Sequence, residues 1–177
     1  MATKQSAGIL LYRLRPAPPA SPVEAPAKAG PDAAAKPAPE VFLVHPGGPF
    51  WKKKDAGTWT IPKGEFTEEE PALDAAIREF REETGVQLKG FFQPLSPIRQ
   101  KGGKRVYAWA IAGDLDPAKL VSNTFELEWP RGSGRMKAFP EVDKGAWYTL
   151  EAARAIINPA QIAFLDELTE TLGSRPD

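Results

Sequence analysis

The sequence predicts an α/β fold in which a mixed β-sheet is sandwiched between helices. Three observations carry that expectation. Apolar segments of strand character come first, one amphipathic helix interrupts them, and more strands and then two helical segments follow. The 177 residues suit a single domain of ordinary size, large enough to bury roughly 70% of its unfolded surface. A content of 42% hydrophobic and 26% charged residues is that of a globular chain with its own core.

Ser6 to Arg13, rich in Ile, Leu and Tyr, reads as the first strand. The composition then changes abruptly, and 17 of the 24 residues from Pro16 to Pro39 are Pro or Ala. Such a stretch has little to bury and is expected as a flexible loop. Val41 to Val44 resumes as a strand, so a strand pair with an expanded connection is expected, because closure entropy grows slowly with loop length. The expected organisation is therefore one domain over residues 1–177 with a flexible Pro/Ala-rich insert at 16–39. An N-terminal arm tethered to a separate domain is the weaker alternative, since Ser6 to Arg13 alone has nothing to bury its face against.

His45 to Trp51 is dense in turn-formers and reads as a loop, followed by Lys52, Lys53 and Lys54. Thr58 to Ile61 reads as a short strand ended by Pro62-Lys63-Gly64. Leu73, Ala76, Ile77 and Phe80 recur at helical spacing and mark one buried face. Thr67-x-x-Glu70 has the form of a capping box, Pro71 sits in the first turn and Gly85 supplies the stop, so a helix is predicted from Glu68 or Glu70 to Thr84. Phe91 to Ser96 and Arg105 to Ala112 are expected to pair across the turn Lys101-Gly102-Gly103-Lys104. Ser122 to Glu128 is a further strand, Trp129 to Ala138 a Gly- and Arg-containing loop, and Gly145 to Tyr148 a last strand. Leu150 to Ile157 and Gln161 to Leu172 read as helices broken at Asn158-Pro159, the second with the apolar stripe Ile162, Leu165, Leu168 and Leu172.

Charge and composition exclude several function classes. Lys plus Arg is 23 and Asp plus Glu is 23, without the basic excess of a protein that lives on long nucleic acid. There are no cysteines, which excludes disulfides, thiol nucleophiles and zinc–thiolate centres. His45 is the single histidine, so a histidine-rich metal site is excluded as well. The early apolar run Ile9-Leu10-Leu11-Tyr12 is too short for a membrane span or a signal-peptide core, and a cytoplasmic protein is expected. A strong metal site would have to be built from carboxylates, which suit magnesium or manganese.

Glu79, Glu82 and Glu83 offer such a set. Spaced at i, i+3 and i+4 on the predicted helix, they are neighbours on one side of it. Like charges so placed repel one another and destabilise a helix unless cations are present. A plain solvated acidic surface is the alternative for a Glu-rich helix. Here, however, Gly64 precedes the helix, Glu70 stands at its start, Arg78 lies beside the cluster and Gly85 follows.

Gly64, Glu70, Arg78, Glu79, Glu82, Glu83 and Gly85, with Phe80 and Val86 at the two bulky apolar positions, resemble the Nudix box, G-x(5)-E-x(7)-R-E-U-x-E-E-x-G-U. Seven identities at fixed spacing would arise by chance with a probability of about 10⁻⁹ per start. The resemblance implies the Nudix fold and a pyrophosphohydrolase that acts on a nucleoside diphosphate linked to another moiety. It also implies Mg²⁺ or Mn²⁺ held by Glu79, Glu82, Glu83 and the backbone carbonyl of Gly64. Cations there neutralise charge on phosphate oxygens, and phosphoryl chemistry needs positioning more than a covalent nucleophile. Arg78 is expected to fix carboxylates by bidentate pairing, with Glu70 as its partner. Candidates for the general base are Glu82 and Glu83 within the box and Glu141 outside it, the last equally readable as an ordinary loop carboxylate.

The substrate has its own clues. Trp59-Thr60-Ile61-Pro62-Lys63-Gly64 resembles the W-x-x-P-K-G lead-in of Nudix enzymes acting on dinucleoside polyphosphates such as diadenosine tetraphosphate. Trp59 and Lys63 are accordingly candidates for substrate contact, with Lys63 holding an extra phosphate. Arg105, among the cations flanking the 101–104 turn, is a candidate phosphate grip. Trp51, Tyr107, Trp109 and Phe139 are aromatics suited to stacking a base, Tyr107 being the one carried forward as a site residue. The expected partner is a small-molecule nucleotide, with neither a membrane nor long nucleic acid. The rival readings are a pyrophosphatase of ordinary or oxidised nucleoside triphosphates, a pyrophosphohydrolase of RNA 5′ ends, and a non-catalytic nucleotide sensor. The intact carboxylate set argues against the last.

Overall fold

The computed structural model describes residues 2–16 and 37–174. The chain runs β1 (Gln5–Arg15), β2 (Ala38–Pro46), β3 (Lys63–Phe66), α1 (Ala72–Thr84), β4 (Gln93–Arg99), β5 (Arg105–Ala112), β6 (Thr124–Glu128), β7 (Met136–Pro140), β8 (Val142–Thr149), α2 (Leu150–Ile156) and α3 (Ile162–Gly173). The main sheet has the order β4-β5-β1-β2-β8, with β3 also on β1, and β6 and β7 form a separate two-stranded sheet. This is the α/β sandwich that the order of segments predicts: β1 runs parallel to β5 and antiparallel to β2 and β3. No helix among the described residues is long and apolar enough to cross a membrane.

Period-2 alternation explains how one sheet serves two cores. Leu10 and Tyr12 of β1, Val41 and Leu43 of β2, and Val106, Ala108 and Ala110 of β5 face Ala153, Phe164, Leu165 and Leu168 of α2 and α3. Ala7, Ile9, Leu11, Phe42, Val44 and Ile111 face the other way, onto Ala75, Ala76 and Phe80 of α1.

Several expectations are corrected. The strand at this point is Lys63–Phe66, which pairs with Gln5 to Gly8 of β1. Thr58 to Ile61 makes only single bridges, Thr60 to Val44 and Trp59 to Ile157. The ladder of β2 covers Tyr12 to Arg15 of β1, which leaves the other half of that edge for β3. Helix α1 begins at Ala72 with Pro71 before it, and no side chain caps it. Thr67 contributes its carbonyl to a turn with the Glu70 N–H at 3.1 Å, while the Glu70 carboxylate is occupied by Arg78. The buried face of α1 is Ala75, Ala76, Glu79, Phe80 and Thr84, whereas Leu73 and Ile77 are half-buried. Gly85 closes the helix as expected, its N–H reaching the Arg81 carbonyl at 2.7 Å.

The predicted 129–138 loop is shorter than expected, because Met136 to Ala138 pair with Glu126 to Glu128 in the β6–β7 hairpin. At the insert, Ala38 and Pro39 belong to β2 and pair with Arg15 and Leu14. The rest of that segment, residues 17–36, lies outside the described residues.

Candidate active site

Four elements meet at a cleft of about 480 Å³ lined by Pro46, Gly47, Trp51, Lys63, Gly64, Glu65, Glu79, Glu83, Phe125 and Glu141. Strand β3 presents Lys63, Gly64 and Glu65, helix α1 presents Glu79 and Glu83, and the end of β2 with its following loop supplies Pro46, Gly47 and Trp51. Phe125 comes from β6, and Glu141 from the junction between β7 and β8.

Alanines at 75 and 76, both fully buried, bring α1 close against the sheet. This closeness carries Glu79 under β3, where the residue is 8% exposed. A Cβ added at Gly64 would lie 2.0 Å from the Glu79 carboxyl carbon, so any side chain there must displace that carboxylate. Glu83 accepts the Lys63 backbone N–H at 3.1 Å, a second tie between helix and strand.

Arg78 organises the acidic edge of the helix. It donates two parallel hydrogen bonds to Glu70, at 2.9 and 2.8 Å, and further bonds to Glu79 at 2.7 Å and Glu82 at 3.2 Å. The bidentate fork fixes both planes. These bonds hold Glu70 below its ordinary pKa. Glu82 is held at the edge of the cleft, where its charge acts on both Glu79 and Glu141.

Glu141 is fixed through its backbone. Its N–H donates to the Asn123 carbonyl at 2.8 Å, and its carbonyl accepts from Gly47 at 2.9 Å. Asn123 in turn donates to the Glu82 carbonyl at 2.8 Å, so the 121–123 segment spans from the C-terminal turn of α1 to the start of β8.

The electrostatics follow from crowding oxygen donors in a partly covered cleft. Burial pushes the Glu83 carboxyl up to about 8, with Lys63 opposing and Glu79 adding to the shift. Burial also raises Glu79, against the pull of Arg78, and raises Glu141 together with the charge of Glu82. Burial lowers Lys63, although Glu83 and Glu79 favour its charge. Lys104 shares Glu65 with this corner at 2.6 Å.

Among the described residues, no three acidic or histidine side chains converge closely enough to be a finished cation cage. The donor set nevertheless suits a hard divalent cation. It is all oxygen, it carries more carboxylates than cationic groups, and the Gly64 cradle holds Glu79 beside the β3 backbone.

Of the site residues read from sequence, Lys63, Gly64, Glu79, Glu83 and Glu141 come together in the cleft, with Glu82 and Arg78 at its edge. Three others do not join them. Trp59 is 4% exposed in the core, edge-on to His45 and Tyr148, with its Nε1–H on Asp55 at 3.2 Å. It has no free face, because the W-x-x-P-K-G lead-in uses its tryptophan for packing. Tyr107 and Arg105 line a different hollow with Thr3, Gln5, Glu68 and Arg99, and Tyr107 packs on Phe66. Gly47, Glu65 and Phe125 line the cleft without having been singled out in the sequence. Phe125 alternates with Leu127 as any strand residue does, and nothing in the pattern distinguishes it.

The fold is a two-faced α/β sandwich with a carboxylate-bearing helix edge beside a glycine of the neighbouring strand. The Nudix domain family matches residues 34–168, and the chain belongs to the Nudix family of pyrophosphohydrolases. The fold is similar to that of a C. elegans Ap4A hydrolase in a binary complex (TM-score 0.57, 20% identity, covering 98% of this chain and 100% of that one). It is also similar to the Nudix domain of Shewanella oneidensis NrtR complexed with ADP ribose (TM-score 0.59, 14% identity, 97% and 90% covered). A third likeness is to the Nudix hydrolase RenU of M. smegmatis (TM-score 0.53, 18% identity, 98% and 88% covered). At these identities the likeness is one of fold.

Proposed function

We propose that the enzyme hydrolyses a phosphoanhydride in a nucleoside diphosphate linked to another moiety, with a dinucleoside polyphosphate as first substrate and Mg²⁺ or Mn²⁺ as cofactor. The observation that carries this reading is the gathering of Gly64, Glu79, Glu83 and Glu141 in one cleft, with Glu79 seated where a side chain at residue 64 would be. Glu79, Glu82, Glu83 and the Gly64 carbonyl would hold the cation, which when bound supplies neutralisation of charge on phosphate oxygens. Arg78 is a positioning residue, since it touches the carboxylates rather than the space of the cleft.

Among the candidates for the general base, Glu141 is favoured. Glu83 already accepts the Lys63 N–H and Glu82 accepts from Arg78, whereas the Glu141 carboxylate has no hydrogen-bond partner among the described residues. Its lone pairs are free to take a proton from an attacking water. Lys63 adds its amine to the phosphate end of the cleft, and Lys104, paired with Glu65 of the lining, brings a second cation to that corner. The likeness to an Ap4A hydrolase and the W-x-x-P-K-G lead-in favour the dinucleoside substrate.

The test is product release by the purified protein with Mg²⁺ or Mn²⁺ over diadenosine polyphosphates, canonical and oxidised triphosphates, ADP-ribose and 5′-triphosphate RNA. Turnover concentrated on the dinucleoside compounds is expected. A preference for triphosphates or RNA would replace the substrate and keep the chemistry. Tight nucleotide binding with no product at all would make the protein a sensor.

A further inference from the structure

Trp51 is 41% exposed, although a tryptophan loses more than any other residue by facing water. The other four tryptophans are used up in packing. Trp59 is in the core, Trp109 packs against the α1-side cluster, and Trp129 meets Phe50 edge-on at 5.6 Å. Trp147 lies under Arg13 at 4.0 Å and donates to the Leu115 carbonyl. Trp51 alone of the five lines the cleft, and the residue with which it shares the aromatic part of that lining is Phe125.

These two rings are held by different elements that are fastened together. Gly47 lies so tightly on the end of β7 that an added Cβ would sit 1.9 Å from the Pro140 carbonyl oxygen. A Cβ at Gly48 would be 3.1 Å from the Phe125 ring. Phe50 docks on Trp129 beyond the end of β6, and the Lys54 N–H closes a turn on the Trp51 carbonyl at 2.9 Å. Phe125 stands beside its cross-strand partner Phe139, the ring centres 6.1 Å apart. The Lys54 ammonium lies 5.4 Å from the Trp51 ring centre and brings positive charge to this lip.

We propose that Trp51 and Phe125 form the nucleobase seat of this enzyme, an aromatic jaw at the mouth of the carboxylate cleft. The proposal rests on the reading of the substrate as a nucleotide. The remaining lining residues show what kind of seat it is. They are Pro46, glycines, Lys63 and glutamates, without a Ser, Thr, Asn or Gln among the described residues. Stacking accepts any base because every base has a π-face, and edge contacts here are left to Lys63, the glutamates and the backbone. The seat therefore holds a flat base mainly through its π-face and discriminates only weakly among bases.

Titration of intrinsic fluorescence with ATP, GTP, CTP, UTP and inorganic tripolyphosphate tests this in the wild type, Trp51→Leu, Trp51→Phe and Phe125→Ala. The wild type should bind all four nucleotides with affinities within about tenfold of one another and more tightly than tripolyphosphate. Trp51→Leu and Phe125→Ala should each weaken nucleotide binding by about 5- to 150-fold, the range of one lost stacking contact. The weakening should be similar for the four bases and should bring nucleotide affinity toward that of tripolyphosphate. Trp51→Phe, which keeps a ring, should recover most of the loss. If the wild type binds and hydrolyses nucleotides and Trp51→Leu binds them equally well, the seat is elsewhere and the hydrolase reading stands. If the wild type neither binds nor hydrolyses any nucleotide, both readings fall.

Discussion

The two faces of the sheet are built for different ends. Against α2 and α3 the contact is large and apolar: Leu10, Leu43, Ile61, Phe164 and Leu165 are fully buried, with Ile157 and Leu168 at 1%. The buried Gln161 is satisfied there by Thr60 and the Ile61 N–H. Against α1 the helix offers Ala75 and Ala76 instead, and the buried set includes the carboxylate of Glu79. Small residues let that helix approach until Glu79 reaches β3. Both faces bury an apolar core, Phe42 and Phe80 on the α1 side included, and on that side small helix residues also place charge beside a strand. On the proposed reading, chemistry depends on how close one helix lies, and the other two helices contribute cover.

That contrast can be tested from its strongest point. Glu82→Gln and Glu83→Gln should each lower turnover by orders of magnitude with the far-ultraviolet circular dichroism unchanged. Two variants with near-normal rates would remove the acidic edge of α1 from the chemistry. Gly64→Ala is the next largest effect, because the new methyl group must displace the Glu79 carboxylate. Steady-state assays should show a loss of about a hundredfold, as for a misplacement of about 1 Å in a reacting site. Wild-type activity there would mean that α1 slides without consequence.

On the opposite face, Leu168→Ala should cost about 2–5 kcal/mol in denaturant unfolding, while kcat of the folded enzyme stays within about twofold of wild type, well under the tenfold that each 1.36 kcal/mol of barrier represents. A large kcat loss in the folded fraction would show the two faces to be coupled. The smallest effect is expected for replacing residues 17–36 with a short turn, given that the flanking Arg15 and Ala38 are paired strand residues. A single-domain chain should keep its Tm within about 4 °C, the equivalent of about 1 kcal/mol. A collapse in scanning calorimetry would assign the segment a structural role.

What the sequence reveals divides along the same line. The carboxylate set is legible because its residues repeat at helical spacing next to a glycine at fixed distance, and local geometry translates that spacing into position. Strands β1, β5 and β8 and helices α2 and α3 are legible from periodicity. Which surface a residue meets is not a local property. Trp59 reads as a ligand contact and is core, because its burial depends on Tyr148 of β8, 89 positions later in the numbering. The Thr67-x-x-Glu70 pattern reads as a cap, and a longer-range partner, Arg78, takes the glutamate. Leu73 and Ile77 complete an apolar spacing, yet the helix rotates toward Ala75 and Glu79 to meet the sheet. Phe125 sits on a hairpin whose second strand, Met136 to Pro140, is nearly all exposed and follows a Gly-rich turn that masks it as loop.

The place of β1 in the sheet has a consequence for how the molecule assembles. Gln5 of β1 lies beside Arg105 of β5, and Tyr12 beside Ala112, so the central strand is made well before the parallel neighbour that completes it. Loops of that length close slowly, and folding rates fall as partners lie farther apart along the chain. On a ribosome, β1 can pair early with β2 and β3, but its other edge stays bare until β5 has emerged. The nascent chain therefore passes through a stage with an open, apolar strand edge, a template for wrong pairing, and the slowest step of folding should be the one that closes it.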